Sequence, residues 1–179
     1  MSENIVVLSG SPRKGGNTDR LAAAFIEGAK SQGKDVVQFR VADMKIGGCL
    51  GCNHCFDEVG VCVQNDDMLE ILDALQKADT LVLASPVYYF SMTAQLKLVI
   101  DRTYALISTG TPIKKAALLM TCGDSSKEVA EGAVVVYKNT CSYNNWEDGG
   151  VIIATELHEP GEIDGREELE KAKALGKDI

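Results

Sequence analysis

The sequence lacks the features that mark membrane proteins and nucleic-acid-binding proteins. No apolar run approaches the ~20 residues that a membrane helix requires. Basic residues number 18 against 26 acidic ones, a net charge of −8, and no basic stripe offsets this charge. The first residues, Met-Ser-Glu-Asn, have neither the basic nor the apolar region of a signal peptide. We therefore expect a cytoplasmic protein with no membrane and no nucleic-acid partner.

Internal repeats, low-complexity tracts and linkers are also missing from the sequence. A chain of 179 residues is long enough to bury roughly 70% of its unfolded surface in one core. We expect residues 1–179 to form a single domain, with a cysteine-rich loop at about 41–66.

Strand and helix patterns alternate along the chain. Short β-branched apolar runs predict strands at Asn4–Ser9, Asp35–Arg40, Thr80–Ser85, Ala116–Thr121 and Gly150–Ala154. Helical spacing predicts helices from Thr18 to about Gly33, from Asp66 or Asp67 to about Ala78, over Thr93–Ile107 and Ser126–Thr140, and over Glu167–Leu175 with Gly176 as the stop. This alternation predicts an α/β fold, a doubly wound five-stranded parallel sheet with helices on both faces. Ligands of such sheets bind at the carboxyl ends of the strands.

The loop after the first strand has the composition of a phosphate site. It joins a strand to a helix N-terminus, where free N–H groups favour an anion. The sequence matches neither the dinucleotide nor the Walker glycine motif, and a polar turn that only caps the helix remains the alternative. The candidate phosphate-binding residues are Ser9, Ser11, Arg13, Gly16, Asn17 and Thr18.

Two further loops follow the third and fourth predicted strands. The first is rich in aromatics that can cover a planar ring, although the same aromatics would suit the core or a dimer interface. The second is small and polar, and alone it is an ordinary turn. The candidate cofactor-binding residues here are Pro86, Val87, Tyr88, Tyr89, Phe90, Thr121, Cys122 and Gly123.

Four of the six cysteines fall within fourteen residues, as C-x2-C-x2-C-x6-C. They are Cys49, Cys52, Cys55 and Cys62. Gaps of two residues let neighbouring sulfurs converge on an iron–sulfur cluster or a soft metal. A zinc site with His54 as a spare ligand, a disulfide, and a thiol-rich loop without metal are the alternatives.

Together these motifs resemble the flavodoxin-like NAD(P)H-dependent FMN reductase superfamily, and within it the iron–sulfur flavoproteins. The resemblance rests on Gly10-Ser-Pro-Arg-x-x-Gly-Asn17-Thr18, the cysteine loop running into Gln64-Asn-Asp-Asp67-Met68, and Ser85-Pro-Val-Tyr88 continuing to Asp101-Arg102. These elements cover roughly the first hundred residues in order and with compatible spacing.

The resemblance implies a flavodoxin-like fold that binds FMN, its phosphate at residues 9–18 and its ring against residues 86–90. It also implies a 4Fe-4S cluster on the four cysteines, NAD(P)H as co-substrate, a small molecule or protein as electron donor and acceptor, and a homodimer or homotetramer. Two other classes stay open: a non-catalytic electron carrier of flavodoxin type, and a binding module whose cysteine loop is structural.

Overall fold

The structure, a computed structural model that describes residues 3–179, contains one five-stranded parallel sheet. The strands are β1 (Asn4–Ser9), β2 (Asp35–Arg40), β3 (Thr80–Pro86), β4 (Lys115–Thr121) and β5 (Glu147–Ala154), in the spatial order β2-β1-β3-β4-β5. This is the flavodoxin-like order, whose switch point lies between β1 and β3. The predicted fold is confirmed.

Helices cover both faces of the sheet. Their bounds are α1 (Asn17–Ser31), α2 (His54–Asp57), α3 (Met68–Leu75), α4 (Ala94–Arg102), α5 (Ala105–Thr109), α6 (Glu131–Asn144) and α7 (Glu167–Asp178). One core lies between the sheet and α3, α4 and α6, and the other between the sheet and α1 and α7. The apolar run of β3 is buried on both faces, as expected for a central parallel strand.

Several element boundaries differ from the sequence prediction. The helix expected over Thr93–Ile107 is two helices, because the chain turns at Thr103 and Tyr104. The Thr103 hydroxyl donates to the Ile100 carbonyl at 2.7 Å, which takes up an acceptor at the end of α4. The predicted helix from Ser126 opens with a 3-10 turn, Lys127–Ala130, before α6. The last strand begins at Glu147 and not at Gly150.

A further difference is at the end of α7, because Gly176 does not stop this helix. The helix runs through it to Asp178. A Cβ on Gly176 would lie 2.1 Å from the carbonyl oxygen of Phe25, and one on Gly28 would lie 2.0 Å from that of Lys173. The two glycines therefore let α1 and α7 cross in backbone contact. Among residues 3–179, none of the helices is long and apolar enough to cross a bilayer.

Candidate functional site

A cavity opens at the carboxyl edge of the sheet, where the loops after β1, β3 and β4 meet. Eleven of the fourteen predicted cofactor-binding residues line it. They are Ser11, Arg13, Gly16, Asn17, Thr18, Pro86, Val87, Tyr88, Thr121, Cys122 and Gly123. The other three, Ser9, Tyr89 and Phe90, are not among its lining residues. Three loops that are far apart in sequence thus form one site at the position where this fold binds ligands.

The loop after β1 is held in shape by Asp19. This carboxylate accepts a hydrogen bond from the Gly15 N–H at 2.8 Å and one from the Ser9 hydroxyl at 3.1 Å, and it forms an ion pair with Arg40. Arg40 also donates to the Ser11 carbonyl at 3.2 Å. Ser9 is fully buried, so it supports the loop from below. Arg40 offsets the negative charge of Asp19, which would otherwise repel an anion bound at this loop.

The loop presents donors to the cavity at the start of α1. Gly16, at the N-cap position, has no side chain to occupy the helix end, and a Cβ there would lie 3.1 Å from the Arg13 carbonyl oxygen. The first N–H groups of a helix have no acceptor within it. The hydroxyls of Thr18 and Thr121 lie 2.7 Å apart, joining the first and third loops. The arrangement fits the phosphate of FMN.

Two predicted phosphate ligands are engaged by the segment after β5. The Asn17 side chain donates to the Glu159 carbonyl and accepts from the Gly161 N–H, both at 2.9 Å. The Arg13 guanidinium donates to the His158 carbonyl at 3.0 Å. In these hydrogen bonds both side chains hold residues 158–161 beside the loop.

Leu157 and His158 also line the cavity, and the sequence analysis did not find them. A Cβ on Gly123 would lie 3.0 Å from the His158 ring, so the third loop and His158 are in close contact. Glu162 accepts hydrogen bonds from the N–H groups of His158 and Glu159 at 2.6 and 3.0 Å. The polar composition of residues 156–162 is typical of a solvated tail. The hydrogen bonds to Arg13 and Asn17 place the segment beside the first loop.

The aromatic loop after β3 is a tight turn. The N–H of Tyr88 donates to the Ser91 carbonyl at 2.8 Å, and the N–H of Ser91 returns a bond to Tyr88 at 3.2 Å. Tyr89 and Phe90 between them have φ of 49° and 65°, unfavourable for side chains of this size. Tyr89 is 98% exposed, so the turn presents an aromatic ring beside the cavity.

The four clustered cysteines line a second cavity. All six cysteines of the chain are free thiols, and Cys49 and Cys52 are exposed while Cys55 and Cys62 are half-buried. Burial raises the pKa of Cys55, and the charges of the other three sulfurs raise it further. The four thiols are therefore within electrostatic reach of one another.

The loop that carries these cysteines is fastened at both ends. Asp66 accepts from the Gly47 N–H at 2.8 Å, and Asp67 accepts from the Lys45 N–H at 2.7 Å. Near its middle, the Phe56 ring packs on Tyr104 with centroids 5.0 Å apart. The loop is thus held against α4 and α5.

Arg102, the last residue of α4, reaches beneath this loop. It forms an ion pair with Asp66 and donates to the Cys62 sulfur at 3.2 Å. Asp101 pairs instead with Lys97, so the neighbouring Asp101 and Arg102 do not pair with each other. Burial alone would raise the pKa of Asp66, but the hydrogen bonds from Arg102 and from the Gly47 and Met68 N–H groups, together with the charge of Arg102, outweigh it and the pKa lies below its usual value.

The donor set of the second cavity, four thiols, has the composition that an iron–sulfur cluster takes. Within residues 3–179, no group of three or more His, Cys, Asp or Glu side chains is placed to hold one metal ion. A zinc ion needs sulfurs about 2.3 Å from a single point, whereas four cysteines bind a four-iron cluster over a larger volume. The four thiols that line this cavity supply the number and type of ligands that a four-iron cluster needs.

Comparison with known proteins assigns the family. Residues 4–143 match the family model of NADPH-dependent FMN reductases. The chain belongs to this family. The first cavity thus lies in a member of an FMN reductase family, as the resemblance implied.

Several relatives of this reductase-family chain are named iron–sulfur flavoproteins. One from Archaeoglobus fulgidus is 41% identical over 97 residues, which are 54% of this chain and 44% of that protein. One from Methanosarcina thermophila is 34% identical over 122 residues, 68% of this chain and 63% of that protein. The chain spans about half the length of these curated relatives.

Solved structures share the fold of the whole chain. An NAD(P)H:quinone oxidoreductase from Methanothermobacter marburgensis superposes with a TM-score of 0.79 at 21% identity. The match covers 99% of this chain and 96% of that one. At this identity the likeness extends to the fold alone.

Proposed function

We propose that this protein is an FMN-dependent oxidoreductase that takes electrons from NAD(P)H and passes them to a quinone or another small acceptor. The observation that carries the proposal is the cavity at the switch point, whose walls come from three separate loops. Bound FMN supplies hydride acceptance and one- or two-electron transfer. The protein therefore needs no nucleophile and no acid–base pair of its own.

Different residues of the cavity bind the phosphate and the ring of FMN in this proposal. The start of α1, with the hydroxyls of Ser11 and Thr18, holds the phosphate. Pro86–Tyr88 and Thr121–Gly123 border the ring, and Tyr89 on its exposed turn shields it or contacts the substrate. Residues 157–163, held by Arg13 and Asn17, close the phosphate end against water.

Rapid mixing without oxygen tests the activity. We expect NADH or NADPH to bleach the visible absorbance of the FMN-loaded protein, and a quinone to restore it. An electron carrier of flavodoxin type would bind FMN but would not be bleached by either nicotinamide. A binding module would retain no FMN at all, and either result contradicts the proposal.

We further propose that Cys49, Cys52, Cys55 and Cys62 hold a 4Fe-4S cluster. Three features support this: the shared cavity, the fastened loop, and the iron–sulfur flavoproteins among the relatives. The chain contributes four thiolates, and the cluster supplies one-electron transfer.

Iron and sulfide analysis of protein purified without oxygen tests the cluster. We expect about four iron atoms per chain, with loss of iron in Cys62→Ala. Cys141→Ala is the matched control, because Cys141 is buried in α6 outside the cysteine cavity and should leave the iron content unchanged. Wild-type protein without iron would refute the cluster and leave the FMN proposal standing.

We also propose that residues 1–179 form a single domain. In this proposal the protein assembles as a homodimer or homotetramer and is located in the cytoplasm. Exposed apolar side chains on the cysteine loop and on the aromatic turn offer a surface for assembly. They include Leu50, Val59, Val61, Val63 and Tyr89. Clustered free thiols suit a reducing compartment. Size-exclusion chromatography with light scattering measures the mass of the assembly, and the mass of a monomer would contradict the proposal.

A further inference from the structure

Arg102 is a buried cation at the cysteine cavity. Its side chain is 1% exposed, although it sits at the end of a helix near the surface. It lines the same cavity as Cys49, Cys52, Cys55 and Cys62. A guanidinium loses its hydration when it is buried, so its partners must account for its position.

Three protein groups contact the guanidinium of Arg102. One terminal nitrogen contacts Asp66 and the Gly47 carbonyl, the latter at 3.3 Å, and the other donates to the Cys62 sulfur at 3.2 Å. The Nε–H has no acceptor among the residues that the structure describes, and it is fully buried. An unpaired buried donor is unusual in a native protein.

Fastening the loop explains only part of this arrangement. Asp66 already binds Gly47 and Met68 through its own carboxylate oxygens, at 2.8 and 3.2 Å. A neutral thiol is a weak acceptor, so the contact with Cys62 gains strength only when that sulfur carries negative charge. The unpaired Nε–H likewise requires an acceptor that the protein does not supply.

We propose that Arg102 is a positioning residue of the four-cysteine site, holding Cys62 by a hydrogen bond to its sulfur and supplying the positive charge that favours electron uptake there. This inference rests on the proposed cluster. Four thiolates around an iron–sulfur core give an anionic site, and sulfur atoms are acceptors for the guanidinium donors, the unpaired Nε–H among them.

The sign of the effect follows from charge. Uptake of one electron makes the cluster more negative, so a fixed cation beside it stabilises the reduced form and raises the reduction potential. Asp66 offsets part of the charge of Arg102. Removing Arg102 should therefore lower the potential, and neutralising Asp66 should raise it.

A redox titration of the anaerobically reconstituted full chain, followed by electron paramagnetic resonance, tests this sign. For Arg102→Gln we expect a roughly tenfold fall in the ratio of reduced to oxidised cluster at a fixed potential, equivalent to ~59 mV. Arg102→Lys should recover most of the loss because it keeps the charge. Asp66→Asn should shift the ratio in the opposite direction because it removes a negative charge, while its single amide oxygen can still accept from the N–H of either Gly47 or Met68.

Lys97→Gln is the matched control. It removes a positive charge from the same helix, but Lys97 is exposed and paired with Asp101, so the potential should not change. If Arg102→Gln fails to retain iron, Asp66→Asn decides: a shift to higher potential supports the assignment.

Other outcomes overturn the inference. Unchanged potentials in both Arg102→Gln and Asp66→Asn, or shifts of the same sign, would mean that Arg102 only fastens the loop. Wild-type protein that takes up no iron overturns the cluster proposal and this inference with it. The two failures are therefore distinguished by the iron content of the wild-type protein.

Discussion

Asp19 organises the proposed phosphate-binding loop through three neighbours. Its carboxylate holds Gly15 and Ser9, and its charge is offset by Arg40 at the end of β2. A loop that is already ordered loses little entropy when it binds an anion. Asp19 does not line the cavity, yet it holds the loop that does.

Replacement of Asp19 tests this role. In Asp19→Ala, Gly15 loses its acceptor and Arg40 its partner, so we expect FMN affinity to fall about tenfold, ~1.4 kcal/mol. Fluorescence titration with FMN measures it. Asp73→Ala, which removes an exposed carboxylate paired only with Lys77, should bind as the wild type does. Equal affinity in both variants would show that the loop does not depend on Asp19.

The pair of Asp66 and Arg102 predicts a dependence of stability on pH. Because the folded-state pKa of Asp66 is lowered, the charged carboxylate stabilises the fold above the unfolded pKa of about 4. That contribution is lost as the pH falls through the folded pKa. We expect the free energy of unfolding to fall less steeply from pH 5 to pH 2 in Asp66→Asn than in the wild type.

Urea unfolding at several pH values measures this slope. At neutral pH, Asp66→Asn should be less stable by ~1–3 kcal/mol, because Arg102 loses its charged partner. Asp73→Asn serves as the exposed control, whose slope should match the wild type. A slope in Asp66→Asn equal to the wild-type slope would contradict a lowered pKa at Asp66.

Local sequence predicted eleven residues that the structure gathers in one cavity, since they lie at the last residues of strands, in the loops that follow them, or at the start of α1. It did not indicate that Arg13 and Asn17 are engaged by residues about 145 positions further along the chain. Nor did it place His158 at the cavity. Such contacts depend on tertiary packing, which a local pattern of polar residues does not encode.

At the scale of elements, α1 and α7 cross in backbone contact. A glycine at the end of a helical pattern normally predicts a stop, and the sequence predicts one at Gly176. The structure uses Gly176 and Gly28 for close approach instead. Sequence periodicity could not tell these uses apart, because the partner helix lies more than a hundred residues away.

Gly28→Ala tests the crossing. The added Cβ would lie 2.0 Å from the Lys173 carbonyl oxygen, so the helices must separate. We expect a loss of ~1–3 kcal/mol in the free energy of unfolding, against the ~1 kcal/mol gain that alanine brings to an exposed helix. Lys30→Ala, on the exposed side of α1, should change stability by less than ~0.5 kcal/mol. A Gly28→Ala variant as stable as the wild type would rule out the close contact.

The aromatic turn is an element that sequence rules do not anticipate. Two-residue turns with positive φ at both positions favour Asn-Gly, whereas this chain has Tyr89 and Phe90 there. The Phe90 carbonyl lies 2.5 Å from where a Cβ on Gly132 would be, so the turn packs on α6. Strain of this kind is often found at functional sites, which agrees with the proposed position of this turn beside the flavin ring.

At the scale of the whole molecule, the sheet order brings every candidate loop to one edge. The order β2-β1-β3-β4-β5 places the ends of β1, β3 and β4 side by side. Alternating strands and helices predicted this arrangement, because right-handed crossovers leave few other solutions. The conformation of the cysteine loop could not be predicted in this way, because residues 44–67 have no helical or strand periodicity. The position of Arg102 beneath the loop depends on tertiary packing.

The central claim is that the cavity at this edge binds FMN by its phosphate. Equilibrium titration of the apoprotein with FMN and with riboflavin, which lacks the phosphate, tests it most directly. We expect FMN to bind at least ~100-fold more tightly, about 2.7 kcal/mol, since only FMN can use the donors at the start of α1. Equal affinity for the two flavins would contradict the phosphate cradle, and binding of neither would refute the assignment as a flavoprotein.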